Sequence, residues 1–194
     1  MDLYYSDLRF NLYINHLNIK ITAELKQAEA DIVAASLIRI EQEPLPAAFT
    51  FDYLISLHQQ LFQEIYPWAG VVRTDDISKG ISHFAPATKI PRYAGMIFND
   101  LNNREFMQEN CSDEDFITGT AKLLTQINNL HPFYEGNGRS QRLFLSKIAI
   151  ACGYQFDWTK AHQWEIEAAA IRGIDDDYEP HQRLLARIAS KIQK

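Results

Sequence analysis

Twelve consecutive residues, His131-Pro132-Phe133-Tyr134-Glu135-Gly136-Asn137-Gly138-Arg139-Ser140-Gln141-Arg142, concentrate side chains that a plain connector does not need. Gly136 and Gly138 allow a tight turn and let a ligand approach bare backbone. A helix starting just after them directs free N–H groups and a partial positive charge at the same point, a geometry that binds anions. Arg139 and Arg142, three residues apart, fall on one side of such a helix and offer planar, multidentate donors to phosphate oxygens. Glu135 adds a carboxylate to this cationic setting, which suits a divalent cation such as Mg2+ held against phosphates. His131 can take up a proton near neutral pH. A base, a metal carboxylate, an anion cradle and two arginines describe phosphoryl or nucleotidyl transfer to a hydroxyl. Each has an ordinary reading when taken singly: His before Pro as a loop residue, Gly-Asn-Gly as a turn, the charged groups as solvated surface. Their joint order carries the signal. The phosphate-loop pattern Gly-x-x-x-x-Gly-Lys-Ser/Thr is absent.

The flanking elements must hold this stretch. Residues 113–130, after Ser112 as N-cap, and 139–152, ending at Gly153, read as helices, the second apolar nearly all round and therefore central. Upstream, apolar positions recur at helical spacing over 21–40, ended by Pro44 and Pro46, and over 51–66, with Thr50 as N-cap and Pro67 at the close. Periodicity breaks from Gly70 to Pro86, where Val71 to Thr74 reads as extended and Ser78-Lys79-Gly80 as a turn before Ile81 to Phe84, a short hairpin or flap. Pro91 opens another helix, and amphipathic helices follow over 159–171 and 180–192, separated by the turn-like Asp175 to Asp177. The expected fold class is all-α, a mainly helical single domain over 1–194 with a core of about 50–160, N- and C-terminal helices packed on it, and one β-hairpin flap.

Composition agrees with one soluble domain: 194 residues, 46% hydrophobic and 23% charged. A net charge of −6 argues against broad attraction to nucleic acid or anionic membranes. No apolar run reaches membrane-spanning length, the first residues lack a secretory pattern, and Cys111 and Cys152 form no framework, so a cytoplasmic chain with buried structural thiols is expected. The six His residues lack zinc-site spacing, and Trp158 and Trp164 read as core packing.

The order His-Pro-Phe-x-Asp/Glu-Gly-Asn-Gly-Arg-x-x-Arg resembles the motif of the Fic family, matched here at every defined position. The resemblance extends to Tyr66-Pro67-Trp68-Ala69-Gly70 with Arg73, to Ile77 to Gly80 and Phe84 to Pro86, and to Gly153-Tyr154 with Asp157-Trp158. It implies a helical Fic fold and a protein adenylyltransferase that moves AMP from ATP to a Tyr, Ser or Thr hydroxyl of a target protein, releasing pyrophosphate. It implies His131 as the catalytic base and Glu135 as the Mg2+ ligand. Gly136, Asn137 and Gly138 become the anion hole, Arg139 a binder of the distal phosphates and Arg142 its support. The flap, Ile81, Ser82, His83 and Phe84, docks the target segment by main-chain pairing, with Lys79 and Gly80 touching the nucleotide. Tyr4, Tyr5, Tyr66 and Tyr134 read first as surface or packing residues, with self-modification as the alternative for each.

Gly138 stands where the related Doc kinases carry Lys, which favours AMP transfer over phosphorylation. Many Fic enzymes are blocked by a helix bearing Ser/Thr-x-x-x-Glu-Gly/Asn; here only Glu109 and Glu135 precede Gly or Asn, and neither has Ser or Thr four residues earlier. The resemblance therefore points to a stand-alone toxin whose partner is a separate small antitoxin carrying that helix. Family precedent adds the ATPase subunits of type II topoisomerases, DNA gyrase or topoisomerase IV, as targets, with secreted effectors as a competing context. Alternatives within the same loop are transfer of another nucleotide-derived group, removal of AMP, or an idle nucleotide- or partner-binding module.

Overall fold

The computed structural model describes residues 6–7, 12–80, 82–108 and 111–193. Among them are seven α-helices: α1 (Thr22–Glu41), α2 (Phe51–Phe62), α3 (Ile90–Phe98), α4 (Asp113–Leu130), α5 (Asn137–Ala151), α6 (Gln163–Arg172) and α7 (Glu179–Ile188). Three two-stranded antiparallel ladders complete them: β1 (Ser6–Asp7) with β2 (Leu12–Tyr13), β3 (Ser78–Lys79) with β4 (Ser82–His83), and β5 (Tyr154–Phe156) with β6 (Ala189–Lys191).

The centre is the pair α4 and α5. Helix α4 packs on α3, α5 and α7, while α5 packs on α2, α4 and β5. Local chemistry fixes both ends of α4. Ser112 Oγ accepts from Asp115 N at 3.0 Å, and Asp113, Glu114 and Asp115 occupy the positive first turn. At the other end Pro132 cannot continue a helix, and His131 turns left-handed (φ 43°, ψ 63°) while donating its N–H to Ile127 O. Phe116, Leu123 and Ile127 of α4 meet Phe144, Leu145 and Ile148 of α5 in one continuous core. Gly119 is required there, since a Cβ would lie 2.3 Å from the Phe106 ring.

Several elements end differently from expectation. Helix α2 stops at Phe62, not Tyr66, because Pro67 disfavours helical backbone at the residue before it, and 63–66 close through turns on Phe62 O. The segment from Thr159 begins as a short 3-10 turn, and α6 starts only at Gln163, where Glu165 Oε2 accepts from His162 N. Helix α7 ends at Ile188 because the next three residues pair with β5, a ladder with no local sequence signal. Residues 71–74 join no described sheet; the flap ladder is confined to Ser78↔His83 and Lys79↔Ser82. Trp158 packs on the core and donates to Ser146 Oγ, but Trp164 is 68% exposed and is not core. Tyr66 and Tyr134 are buried, which removes them as self-modification sites, while Tyr4 and Tyr5 lie outside the described residues. Both thiols are partly buried, and burial raises each above the ordinary Cys value. No helix among the described residues is long and apolar enough to cross a membrane.

His181, buried between α7 and α4 with Nδ1 2.8 Å from Thr125 Oγ1, is pushed down to about 4 from 6.5 by burial, with Asp177 opposing the shift. Between those two values the unfolded chain takes up a proton that the folded chain does not. Stability is therefore full above about pH 6.5 and falls as pH drops toward 4. His181→Gln should flatten part of this fall in urea midpoint between pH 7.5 and 5; a midpoint falling as steeply as in wild type would refute the assignment.

Candidate functional site

The site forms where α4 ends and α5 begins. Asn137, 3% exposed, turns its amide inward and grips both main-chain polar groups of Phe133: Oδ1 accepts from Phe133 N at 3.0 Å and Nδ2 donates to Phe133 O at 2.7 Å. The turn is closed by Gly136 at φ 81°, and a Cβ there would lie 2.5 Å from the Phe62 ring, so only glycine fits. His58 supports the loop from behind. It is wholly buried and stacks on Phe133, with ring centroids 3.8 Å apart. Its Nδ1 accepts from Gly70 N at 2.9 Å, which leaves the proton on Nε2 to donate to Glu135 O at 3.0 Å. Burial holds His58 at about 4, so the neutral ring that makes both bonds is the one present at neutral pH.

Past this clamp the start of α5 is open. Ser140 N is the first amide of the helix to find a carbonyl, Gly136 O at 3.1 Å, so the N–H groups of Asn137, Gly138 and Arg139 precede the intrahelical ladder. Asn137 can thus serve an anion only through its main chain. Gly138 leaves the approach clear: a methyl group added there would meet only Arg142 Nη1, at 3.2 Å, the far end of a flexible side chain.

The two arginines differ. Arg139 is engaged: Nη1 meets Glu29 Oε1 of α1 at 2.5 Å, Nη2 lies 3.6 Å from Glu135 Oε1, and the guanidinium sits over the Phe62 ring. Glu29 in turn accepts from Tyr66 OH. Arg142 makes no hydrogen bond or ion pair to another described residue, although burial and the neighbouring Arg139 both disfavour its charge. Glu135 Oε1 accepts from its neighbour Gly136 N at 2.9 Å, and the side chain is half exposed at the mouth.

His131 stands at the opposite edge. Its Nδ1 lies 3.2 Å from Asn128 O, and a carbonyl can only accept, so the proton sits on Nδ1 and Nε2 is left as a lone pair able to take a proton. Burial first, then the positive charges of Arg73 and Lys79, hold the ring down at about 3, against the opposing hydrogen bond to Asn128. Phe84, at the exit of the flap, stacks on this ring with centroids 3.7 Å apart. The exit of the flap is thereby seated beside His131. Lys79, Gly80 and His83 are exposed, Ser82 is buried, and Ile81 lies outside the described residues. The structure brings His131, Glu135, Gly136, Gly138, Arg139 and Arg142 into one loop and helix start, with the flap against the base. Sequence reading missed His58 and Glu29, which act across long chain separations with no local pattern to mark them.

The profile of the Fic/DOC family matches residues 48–149. The protein adenylyltransferase VbhT of Bartonella schoenbuchensis is 32% identical over 86% of this chain, which spans only 35% of that relative's length. The probable protein adenylyltransferase Fic of Escherichia coli is 30% identical over 91% of this chain and 87% of its own. The N-terminal Fic domain of a Bartonella quintana effector, solved with bound ADP, superposes with a TM-score of 0.90 at 25% identity, covering 98% of this chain and 96% of that one. Fold, loop and these relatives agree, and the chain belongs to the Fic/DOC family.

Proposed function

We propose that this chain is a protein adenylyltransferase that moves AMP from ATP to a Tyr, Ser or Thr hydroxyl of a target protein. The observation that carries the reading is the pairing of an unprotonated His131 Nε2, beside the flap, with an open helix start and an Arg142 that has no counter-charge among the described residues. The family names of the relatives and the ADP bound by the Bartonella quintana domain support it.

In the proposed reaction, a target strand lies along the Ser82 to Phe84 side of the flap and presents its hydroxyl to His131. Nε2 takes the hydroxyl proton as the oxygen bonds to the α-phosphorus, and the bond from that phosphorus to the β-phosphate oxygen breaks, releasing pyrophosphate. The first N–H groups of α5 face the developing charge, and Arg142 and Arg139 bind the distal phosphates. Among the described residues no group of three or more His, Cys, Asp or Glu could cage a metal. A half-exposed single carboxylate beside a phosphate cradle nevertheless fits the way Mg2+ is held, by one or two carboxylates plus substrate phosphates. Glu135 would hold the ion, which when bound supplies charge neutralisation at the phosphates.

The finer reading is of a cytoplasmic chain, the toxin of a toxin–antitoxin pair. The ATPase subunits of type II topoisomerases are its targets, on the strength of the sequence resemblance. Its antitoxin presents a Ser/Thr-x-x-x-Glu-Gly/Asn helix, whose glutamate would find in Arg142 a guanidinium lacking any ion pair among the described residues. Of the chain's own Glu residues followed by Gly or Asn, Glu135 sits inside the loop, and Glu109 lies outside the described residues.

Purified chain incubated with bacterial lysate, Mg2+ and α-labelled ATP should label a discrete protein, with no label from γ-labelled ATP and none from His131→Ala. Label from γ would make the chain a kinase, and transfer by His131→Ala would remove the base. Because the ring is neutral far below the ordinary His range, kcat/KM for ATP, which reports the free enzyme, should hold from pH 8 to 6 and lose rate only at lower pH; a half-maximal point at 6.5 or above would contradict this. Arg142→Ala should weaken ATP binding by roughly ten- to hundredfold, the worth of a charge-assisted hydrogen bond. Arg139→Ala should cost less, since Glu29 already neutralises that side chain; the reverse ranking in calorimetry would overturn this division.

A further inference from the structure

Arg73 lies on the connection between α2 and the flap, outside the motif, and is 1% exposed. Among the described residues its guanidinium makes no ion pair with a carboxylate. It is held by four main-chain carbonyls: Nε donates to His131 O at 2.7 Å, Nη1 to Asp75 O at 2.6 Å, and Nη2 to Ala85 O and, at 3.3 Å, Leu130 O. Its own N–H donates to Pro132 O at 2.9 Å. Leu130 and His131 belong to the C-terminal end of α4, where carbonyls lack intrahelical donors and a cation is favoured. Asp75 leads into the flap and Ala85 leads out of it, with Ala85 N also donating to Asn129 O. One planar group thus joins both stems of the hairpin to the residue that bears the base.

We infer that Arg73 is a positioning residue for transfer: its guanidinium sets the flap, and with it the target hydroxyl, at a fixed distance and angle from His131. The inference rests on the proposed adenylyl transfer and names what aligns that site. Only Arg serves. A fork with donors on three nitrogens reaches carbonyls on three sides, whereas Lys carries all its donors on one atom. The left-handed backbone of His131, unusual for a residue with a Cβ, explains the need for an external brace on its carbonyl. Arg73 also acts through its charge. The charged groups bearing on His131 are Arg73 on the α2–flap connection and Lys79 on the flap. Burial disfavours the charge of Arg73, and Asp76, Tyr134 and Asp75 oppose that, Asp76 Oδ1 accepting from Ala87 N. Among the described residues the ring meets the Asn128 carbonyl of α4 and the Phe84 ring at the flap exit.

Arg73→Lys and Arg73→Gln in the full chain separate these roles. Both should bind ATP within about threefold of wild type, because Arg73 does not reach the start of α5, while kcat falls on the order of tenfold to a hundredfold and KM for the target rises. In Arg73→Gln the acid limb of kcat/KM should move to higher pH as the His131 ring loses a repelling charge; in Arg73→Lys it should stay. Titration of the His131 ring by NMR reads the same displacement without any turnover, so wild-type chain that transfers nothing would sink the proposed function and still leave Arg73 tested. Wild-type kcat and target KM in both variants, loss of ATP binding in step with rate, or an unmoved ring titration in Arg73→Gln would each overturn the inference.

Discussion

The site depends first on the grip of one buried amide. Asn137 satisfies both the N–H and the C=O of Phe133, and so closes the turn that brings the last residue of α4 and the first of α5 together. A buried main-chain group left without a partner is costly, and here a single side chain removes two such costs at once. With the turn closed, the negative end of α4 and the positive end of α5 sit a few residues apart. His131, the proposed base, falls at the first and the proposed phosphate cradle at the second. Helix dipoles therefore arrange the electrostatics before any side-chain charge is counted: the proposed proton acceptor lies where cations are welcome, and the proposed anion site lies where N–H groups precede the intrahelical ladder.

The aromatic layer behind the loop converts this turn into a rigid one. Phe62, Phe133 and Trp68 each stack or tilt against His58, and His58 supplies two directional bonds, one to the loop through Glu135 O and one to the α2–flap connection through Gly70 N. The same layer leaves no room for a side chain at position 136. The loop geometry is held by main-chain carbonyls and amides gripped by buried side chains, so the side chains of the proposed site are not needed to hold it.

What the sequence made legible was local. Thr50 and Ser112 cap their helices through their own hydroxyls, Pro91 opens α3, and Gly153 ends α5 in a left-handed residue, all interactions spanning at most four residues. The twelve-residue loop was legible for the same reason. What escaped depends on distant partners. Lys191 pairs with Tyr154 only because α7 delivers it there, and Trp164 has an apolar residue's pattern yet stays largely exposed. His58 is an ordinary histidine in a helix until Glu135 and Gly70 are placed beside it. Arg73 falls within a familiar segment, but a lone arginine carries no spacing from which four carbonyl partners could be read.

The contrast between Arg139 and Arg142 shows how the fold divides binding from order. Arg139 is oriented by Glu29 and by the Phe62 face, so its side-chain freedom is already spent before ligand arrives. Arg142 is the reverse: partly desolvated, beside a like charge and unpaired among the described residues, it raises the free energy of the empty site. In the proposed site an anion would relieve that repulsion on binding, so part of the affinity would come from repulsion removed and not only from new hydrogen bonds. Filling Arg142 with a protein carboxylate would stabilise the free chain and weaken the site in the same measure. An arginine without an ion pair among the described residues is thus the feature that suits this helix start to the polyphosphate of the proposed substrate.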